Sequence, residues 1–248
     1  MSTQDILGRL RDALDDGQAP WPLAPIRPGP WRDLDADTEV RVLSRLAAEQ
    51  AARAEDPIPF HHRVRRLRAM PLRFYRRTLL VEGMAEVSDA IGQPPATFAF
   101  VLGDRGAAVL SWSAEDLRAL NARHALRLDG EDAFLDYLHL FTAVAGGPDG
   151  RFRIVATREE LAAAGLAEAE TVLDRAADLA TPVRAGAARE GQRDFTACVL
   201  YRDGLFEAEF TVFATGEVAM RDDRLLIDDL PIPEERFMGP FRMRAHPG

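Results

Sequence analysis

The stretch FTACVLYRDGLFEAEFTVFATGEVAM, residues 195–220, indicates the fold class more strongly than the rest of the chain. Three runs rich in β-branched and aromatic residues are separated by RDG and ATG, which are turn signals of short hairpins. In the middle run, apolar residues alternate with Glu207, Glu209 and Thr211, so one face is expected in the core and the other in water. The stretch predicts an antiparallel meander with strands at 195–201, 205–213 and 218–220.

Upstream of the meander, two apolar runs at 97–102 and 107–112 flank GDRG, which predicts a central hairpin. Ser113 and Asp116 have the spacing of a capping box, which predicts a helix through about Arg123. A helix at 131–145 is apolar over so wide a face that we expect it in the core. Thr157 and Glu160 predict a further helix start, and RFRIV before them predicts a strand.

The N-terminal part predicts a helical arm. Ile6, Leu7, Leu10 and Leu14 share one face of a helix that Gly17 ends. Residues 19–31 hold five prolines, which favour an extended segment on the surface of the main body. The predicted class is α+β: an antiparallel sheet with helices on one face, preceded by this arm. The predicted units are an arm at 1–31 and a domain at 32–248, with subdomains near 32–156 and 157–248 as an alternative.

Composition excludes several classes of function. All 31 basic residues are arginine, so the chain cannot form a lysine Schiff base or carry a Walker A lysine. A single cysteine excludes an internal disulfide framework. No run approaches the roughly 18 apolar residues of a membrane span, and the acidic N-terminus is unlike a signal peptide, so we expect a cytoplasmic protein. G-x-S-x-G, G-x-G-x-x-G, H-E-x-x-H and C-x-x-C are absent, and no cofactor, metal or catalytic residue is predicted.

The most unusual feature is a basic strip at residues 63–77. It holds seven arginines and no acid, so it carries +7 in a chain of net charge −9, and the remainder carries −16. Val64 and Leu67, with Phe60 before them, recur at helical spacing and predict a short amphipathic helix. Arginine pairs bidentately with carboxylates and phosphates, so the strip is the predicted partner- or anion-binding site. Its members are Arg63, Arg65, Arg66, Arg68, Arg73, Arg76 and Arg77.

A complementary acidic run lies near the C-terminus. Between Asp203 and Glu235 the chain has ten acids and two arginines, a local charge of −8. We expect the strip to recognise acidic protein surface, in this run or on a partner, because the net charge repels a polyanion such as nucleic acid. The alternative is that the arginines of the strip face water and bind no partner.

Three other groups of residues are weaker candidates. Asp132, Asp136 and His139 share one side of the helix at 131–145, which suits a metal but equally the polar side of a core helix. Cys198, among apolar residues of a predicted strand, is expected to be a buried thiol. Glu207 and Glu209 on a wet strand face favour a solvated surface over an acid–base pair.

These patterns favour a non-enzymatic binding or assembly protein, with a protein partner or a homo-oligomer and without nucleic acid or membrane. The rival hypothesis is a small-ligand or hydrolytic site between the C-terminal sheet and the helix at 131–145. A packed interior beneath Phe206, Phe210 and Phe141 would count against the rival, and an open pocket with converging charged groups would favour it.

Overall fold

The structure is a computed structural model that describes residues 20–52, 63–86, 95–146 and 150–245. The predicted N-terminal helix around Ile6 lies outside these residues. The α+β class with antiparallel sheets is confirmed. The described strands form two sheets rather than one, and helices cover parts of both.

The larger sheet has seven strands, all antiparallel, in the order β1-β2-β3-β4-β12-β11, with β5 also paired to β4. The hairpin predicted around GDRG is confirmed as β4 and β5. The strands are β1 (Arg32–Asp33), β2 (Arg63–Pro71), β3 (Thr78–Glu86), β4 (Ala96–Gly103), β5 (Gly106–Val109), β11 (Glu235–Met238) and β12 (Phe241–Arg244).

The smaller sheet contains the predicted meander, which is confirmed as β8, β9 and β10. Its order is β10-β9-β8-β6, with β7 also paired to β8. The last strand of the meander continues past residue 220 to Ile227, because a register shift after Met220 lets the charged segment that follows keep pairing with β9. The strands are β6 (Arg153–Ile154), β7 (Arg184–Arg189), β8 (Gln192–Tyr201), β9 (Gly204–Phe213) and β10 (Val218–Ile227).

Five α-helices lie within the described residues, and two of them begin at predicted caps. The Ser113 side chain accepts a hydrogen bond from the Asp116 backbone in a capping box, and Thr157 likewise caps the helix that begins at Arg158. The helices are α1 (Ala36–Ala52), α2 (Ala114–His124), α3 (Glu131–Val144), α4 (Arg158–Leu161) and α5 (Glu170–Leu179), with a π-helical turn at Ala162–Leu166.

The core is divided by the sheets. Helix α3 lies between them, where Tyr137, Leu138 and Leu140 pack with residues of β4 and β8. Helix α1 covers the other face of the larger sheet, and α5 covers the other face of the smaller one. Successive residues of β3, Leu80 and Val81, therefore belong to different apolar clusters.

The basic strip is not a helix, which corrects the sequence-based prediction. Residues 63–71 form strand β2, paired with β1 and β3. A register shift between Val64 and Arg66 marks a β-bulge at Arg65. The extra residue brings Val64 and Leu67 into the same apolar cluster. In a regular strand, two residues three positions apart lie on opposite faces, whereas in a helix they lie on the same face. The bulge places Val64 and Leu67 on one face of the strand, so their spacing resembled that of a helix.

Candidate functional site

The described arginines of the basic strip are mostly paired within the chain. Arg63 begins β2, but its side chain lies outside the described part, and Arg76 is exposed. The other five pair with acids from residues 33–136, so none of these pairs uses the acidic run Asp203–Glu235. The pairs are Arg65–Glu86 (2.5 Å), Arg66–Asp33 (2.5 Å), Arg68–Glu82 (2.5 Å), Arg73–Asp132 (3.2 Å) and Arg77–Asp104 (3.8 Å).

Arg68 differs from the rest of the strip because it is buried. Its Nε and Nη2 donate to one oxygen of Glu82, at 2.8 and 2.5 Å, and Arg242 donates to the other oxygen at 2.7 Å. The Glu82 and Arg242 side chains are both 0% exposed. Nε of Arg242 also donates to the Thr97 hydroxyl. A buried carboxylate between two guanidinium groups is thus the centre of this region.

The same chain of contacts continues to Glu235. Arg242 Nη1 lies 3.4 Å from Glu235, Arg151 Nε lies 2.8 Å from it and Arg153 Nη1 lies 3.7 Å from it. Burial raises the pKa of Glu235, but the Arg151 and Arg242 cations outweigh burial and hold that pKa well below its usual range. We call these six side chains the buried ionic network: Arg68, Glu82, Arg242, Glu235, Arg151 and Arg153.

The proline-rich arm, described from residue 20 to residue 31, covers this network. Its carbonyl oxygens at Leu23, Ala24 and Ile26 accept hydrogen bonds from Arg68, Arg242 and Arg151 in turn. Proline has no backbone N–H, so the prolines of the arm do not compete with the arginine side chains for these carbonyl oxygens. The arm also buries side chains of its own, among them Ile26. It therefore packs into the body rather than only lying on its surface.

Two tryptophans of the arm complete the cover over Arg68. The guanidinium carbon lies 3.9 Å from the centre of the Trp21 ring and 5.4 Å from that of Trp31. A guanidinium on an aromatic face gains more when it is shielded from water. The two tryptophans thus hold the arm against Arg68.

A charged cleft of about 900 Å³ borders the network. It opens beyond the C-terminal end of α3, between β6, the β8–β9 turn and the segment that leads into β11. Arg151, Arg153 and Glu235 line it from the network, and its other lining residues include charged groups from the β8–β9 turn, from the segment before β11 and from β11 itself. These are Arg202, Asp203, Glu234 and Arg236.

Two features of the cleft wall are unusual for a purely structural surface. Burial lowers the pKa of Arg153 to about 10, although the Glu235 carboxylate opposes that shift. Trp112, which also lines the cleft, has φ +64° and a buried Nε1 with no hydrogen-bond partner in the described structure. A left-handed backbone at a bulky residue is strained, and such strain is concentrated at binding sites.

The cleft is near the place predicted for a small-ligand site but not in it. Phe210 of β9 is buried in the same apolar cluster as Tyr137 of α3, so this part of the predicted space is filled. Phe141 of α3 and the β9–β10 turn line a further opening of about 780 Å³. The charged cleft lies elsewhere, at the end of α3. Sequence reasoning missed the network because its acids and arginines are far apart in the chain; Arg242 and Glu82 are separated by 160 positions. The available signal was a glutamate inside the apolar run of β3.

The other candidates do not come together as sites. Asp136 binds Arg27 at 2.8 Å and Asp132 binds Arg73, so these acids do not join His139 around a metal position. Cys198 is buried, as expected, with its sulfur near the Thr181 amide. Three carboxylates, of Asp203, Asp228 and Asp229, do lie within 4.8 Å of one another, but all three are exposed.

Comparisons with known proteins do not place the chain in a family. No family model, curated protein or solved structure matches it. Among the described helices, none is both long enough and apolar enough to cross a membrane. The case for a function therefore depends on the geometry and charge of the cleft.

Proposed function

We propose that this protein binds a small molecule with carboxylate or phosphate groups in the charged cleft. The observation that carries the proposal is a charge excess. The buried ionic network contains four guanidinium groups and only two carboxylates. Arg27, which is buried nearby, does not add to the excess because Asp136 neutralises it.

The hydrogen bonds of the network do not remove this excess. Backbone carbonyls of the arm and of Ala164 accept from the arginines, but they carry no net charge. Burying a charge without an opposite charge is costly. An anion beside Arg151 and Arg153 would lower that cost, and guanidinium groups bind carboxylate and phosphate in a bidentate geometry.

The rim of the cleft favours a compact anion over a polymer. Arg202 and Arg236 add positive charge at the opening, while Asp203 and Glu234 add negative charge beside them. A polyanion such as nucleic acid would meet these acids and the net charge of −9. The proposed ligand is therefore a small anion that contacts arginines of the wall and of the opening without covering the acids beside them.

Binding without catalysis is the proposed role of the cleft. Ser111 is a hydroxyl in its wall, and that hydroxyl already donates to Asp116 at 2.9 Å. A nucleophile needs a base that takes its proton during the reaction, and Asp116 is instead engaged in the capping box of α2. A cytoplasmic, non-enzymatic ligand-binding protein fits these features.

Partner recognition by the basic strip is the second candidate. Arg73 and Arg77 are 62% and 72% exposed although each contacts an acid, and Arg76 lies exposed between them. Exposed pairs of this kind are weak, so an acidic partner surface can displace them. Replacing all three by glutamine should lower self-association in sedimentation experiments; an unchanged distribution would remove this candidate.

The cleft proposal is tested by calorimetry with citrate and with inorganic pyrophosphate at constant ionic strength. We expect saturable binding that Arg236→Gln weakens about tenfold, because one charge-assisted contact is lost. Arg224→Gln removes a similar exposed arginine from β10 and serves as the control. Absence of binding by both probes, or equal loss in the two variants, would contradict the proposal.

A further inference from the structure

A second cavity lies beside the arm, shares Arg151 and Arg153 with the charged cleft and has a more apolar wall. It has a volume of about 310 Å³, is open on one side, and is lined by residues 24–31 of the arm, by α3 and by the chain around β6. Ile26, Trp31, Phe152 and Ile154 supply much of its wall. We call it the arm pocket. Its size and apolar lining with few polar groups are typical of small-molecule sites.

His139 is the polar side chain that gives this pocket a chemical preference. Its ring nitrogens have no hydrogen-bond partner among the described residues. Asp136, one turn earlier on α3, is bound to Arg27 instead, at 2.8 Å. Burial and then the Arg27 cation lower the pKa of His139 to about 4. The imidazole is therefore neutral near pH 7, with one nitrogen that accepts a hydrogen bond and one that donates.

The neighbouring polar groups of the wall are already engaged. The Thr142 hydroxyl donates to the Leu138 carbonyl at 2.9 Å. Glu160 accepts from the Ala156 amide at 2.6 Å, and Arg151 is held by Glu235 and by the arm. A ligand in the arm pocket thus finds mostly apolar surface and one imidazole, and the exposed Glu159 also belongs to the wall.

We propose that the arm pocket binds a small uncharged aromatic alcohol, with its ring against the apolar wall and its hydroxyl hydrogen-bonded to His139. An apolar cavity of roughly 150 Å³ admits benzene, so about twice that volume suits a two-ring molecule. The ligand is uncharged because most of the pocket wall is apolar, and a charge placed against apolar surface is costly. This site goes beyond the proposed function, since the charged cleft takes an anion.

The probe for this inference is 2-naphthol, with 2-methylnaphthalene as the matched molecule that lacks the hydroxyl. We expect 2-naphthol to bind the full chain and to bind about three- to tenfold more weakly to His139→Phe, which loses one hydrogen bond. The variant should leave binding of 2-methylnaphthalene nearly unchanged, since that molecule makes no such bond. Equal effects on both molecules would overturn the role of His139.

A pair of surface variants tests the location independently of His139. Ala163 lines the pocket and is exposed, so Ala163→Trp should block the pocket and abolish binding of 2-naphthol. Ala167→Trp places the same ring on a nearby exposed position outside the pocket wall and should bind normally. No binding of 2-naphthol by the parent, or binding that survives Ala163→Trp, would overturn the proposal. Arg236→Gln should leave this binding unchanged, which separates the result from the anion site.

Discussion

Two arginine–glutamate–arginine triads cross the sheets of this protein, one inside it and one on its surface. In the inner triad, Glu82 of β3 lies opposite Arg68 of β2, and Arg242 reaches it from β12, across β4. One arginine is thus on the neighbouring strand and the other is two strands away. The outer triad repeats this arrangement in the smaller sheet.

In the outer triad, Glu207 of β9 lies opposite Arg224 of β10, and Arg184 reaches it from β7, across β8. The distances are similar, at 3.0 Å for both pairs. The side chain of Glu207 is 27% exposed, whereas that of Glu82 is 0% exposed. The difference comes from the arm, which covers the inner triad with carbonyls and tryptophan rings. The same pairing therefore contributes differently to the stability of the two triads. The cause is the arm, which is far from both triads in the sequence.

The largest loss of unfolding free energy is expected from Glu82→Gln in the inner triad. Glutamine keeps the size of the side chain but leaves the buried Arg68 without a carboxylate and Arg242 with Glu235 alone. Removing one member of a buried ion pair typically costs about 3–5 kcal/mol of unfolding free energy. Urea unfolding followed by circular dichroism at neutral pH measures the change. A loss below about 1 kcal/mol would mean that burial by the arm does not distinguish the two triads.

The second effect concerns Glu235, whose folded-state pKa lies below its unfolded value. Such a group stabilises the folded state above the unfolded pKa, and that contribution is lost as pH falls toward the folded pKa. We expect Glu235→Gln to cost about 2–3 kcal/mol at neutral pH and to cost progressively less below about pH 4.5. Unfolding curves measured across this range check it. If the loss of unfolding free energy in Glu235→Gln stays constant with pH, the pKa of Glu235 is not lowered in the folded state.

The third effect tests the cover over the inner triad. Trp21→Leu removes the ring nearest the Arg68 guanidinium, and we expect a loss of about 1–2 kcal/mol because this cation–π contact is shielded from water. The matched change is Phe213→Leu beneath Arg221 in the smaller sheet, where the distance is 5.9 Å. There we expect about half the loss or less. Equal losses in thermal or urea unfolding would show that the arm adds no shielding.

Local patterns in the sequence were enough to predict the parts of the fold that depend on neighbours in the chain. The meander, the GDRG hairpin and the Ser113 cap follow from alternation, turn residues and side-chain caps. Strand β2 was misassigned because a bulge at Arg65 changed the period of its apolar residues. A one-residue insertion of this kind has no reliable mark in a single sequence.

The candidate sites were harder to predict because burial is not visible in composition. The seven arginines of the basic strip look alike in the sequence, yet Arg68 is buried while Arg73 and Arg76 are exposed. The cleft brings residues 150–153 together with residues 232–237, and the arm pocket brings residues 24–31 together with α3 and β6. Such long-range packing follows from the assembled sheets, and no spacing within one segment contains it.

The smallest effect is expected in the outer triad. Glu207→Gln removes the same charge as Glu82→Gln, from the same position between two arginines, but water reaches all three side chains. Hydrogen bonds from Arg184 and Arg224 lower the pKa of Glu207, yet exposed pairs contribute at most about 1 kcal/mol to stability. The loss should shrink further when ionic strength is raised to about 1 M, since salt screens exposed charges far more than buried ones. The loss from Glu82→Gln should change little under the same conditions. A salt-insensitive loss above about 2 kcal/mol for Glu207→Gln would mean that the outer triad is shielded as the inner one is, and that the arm is not the cause of the difference.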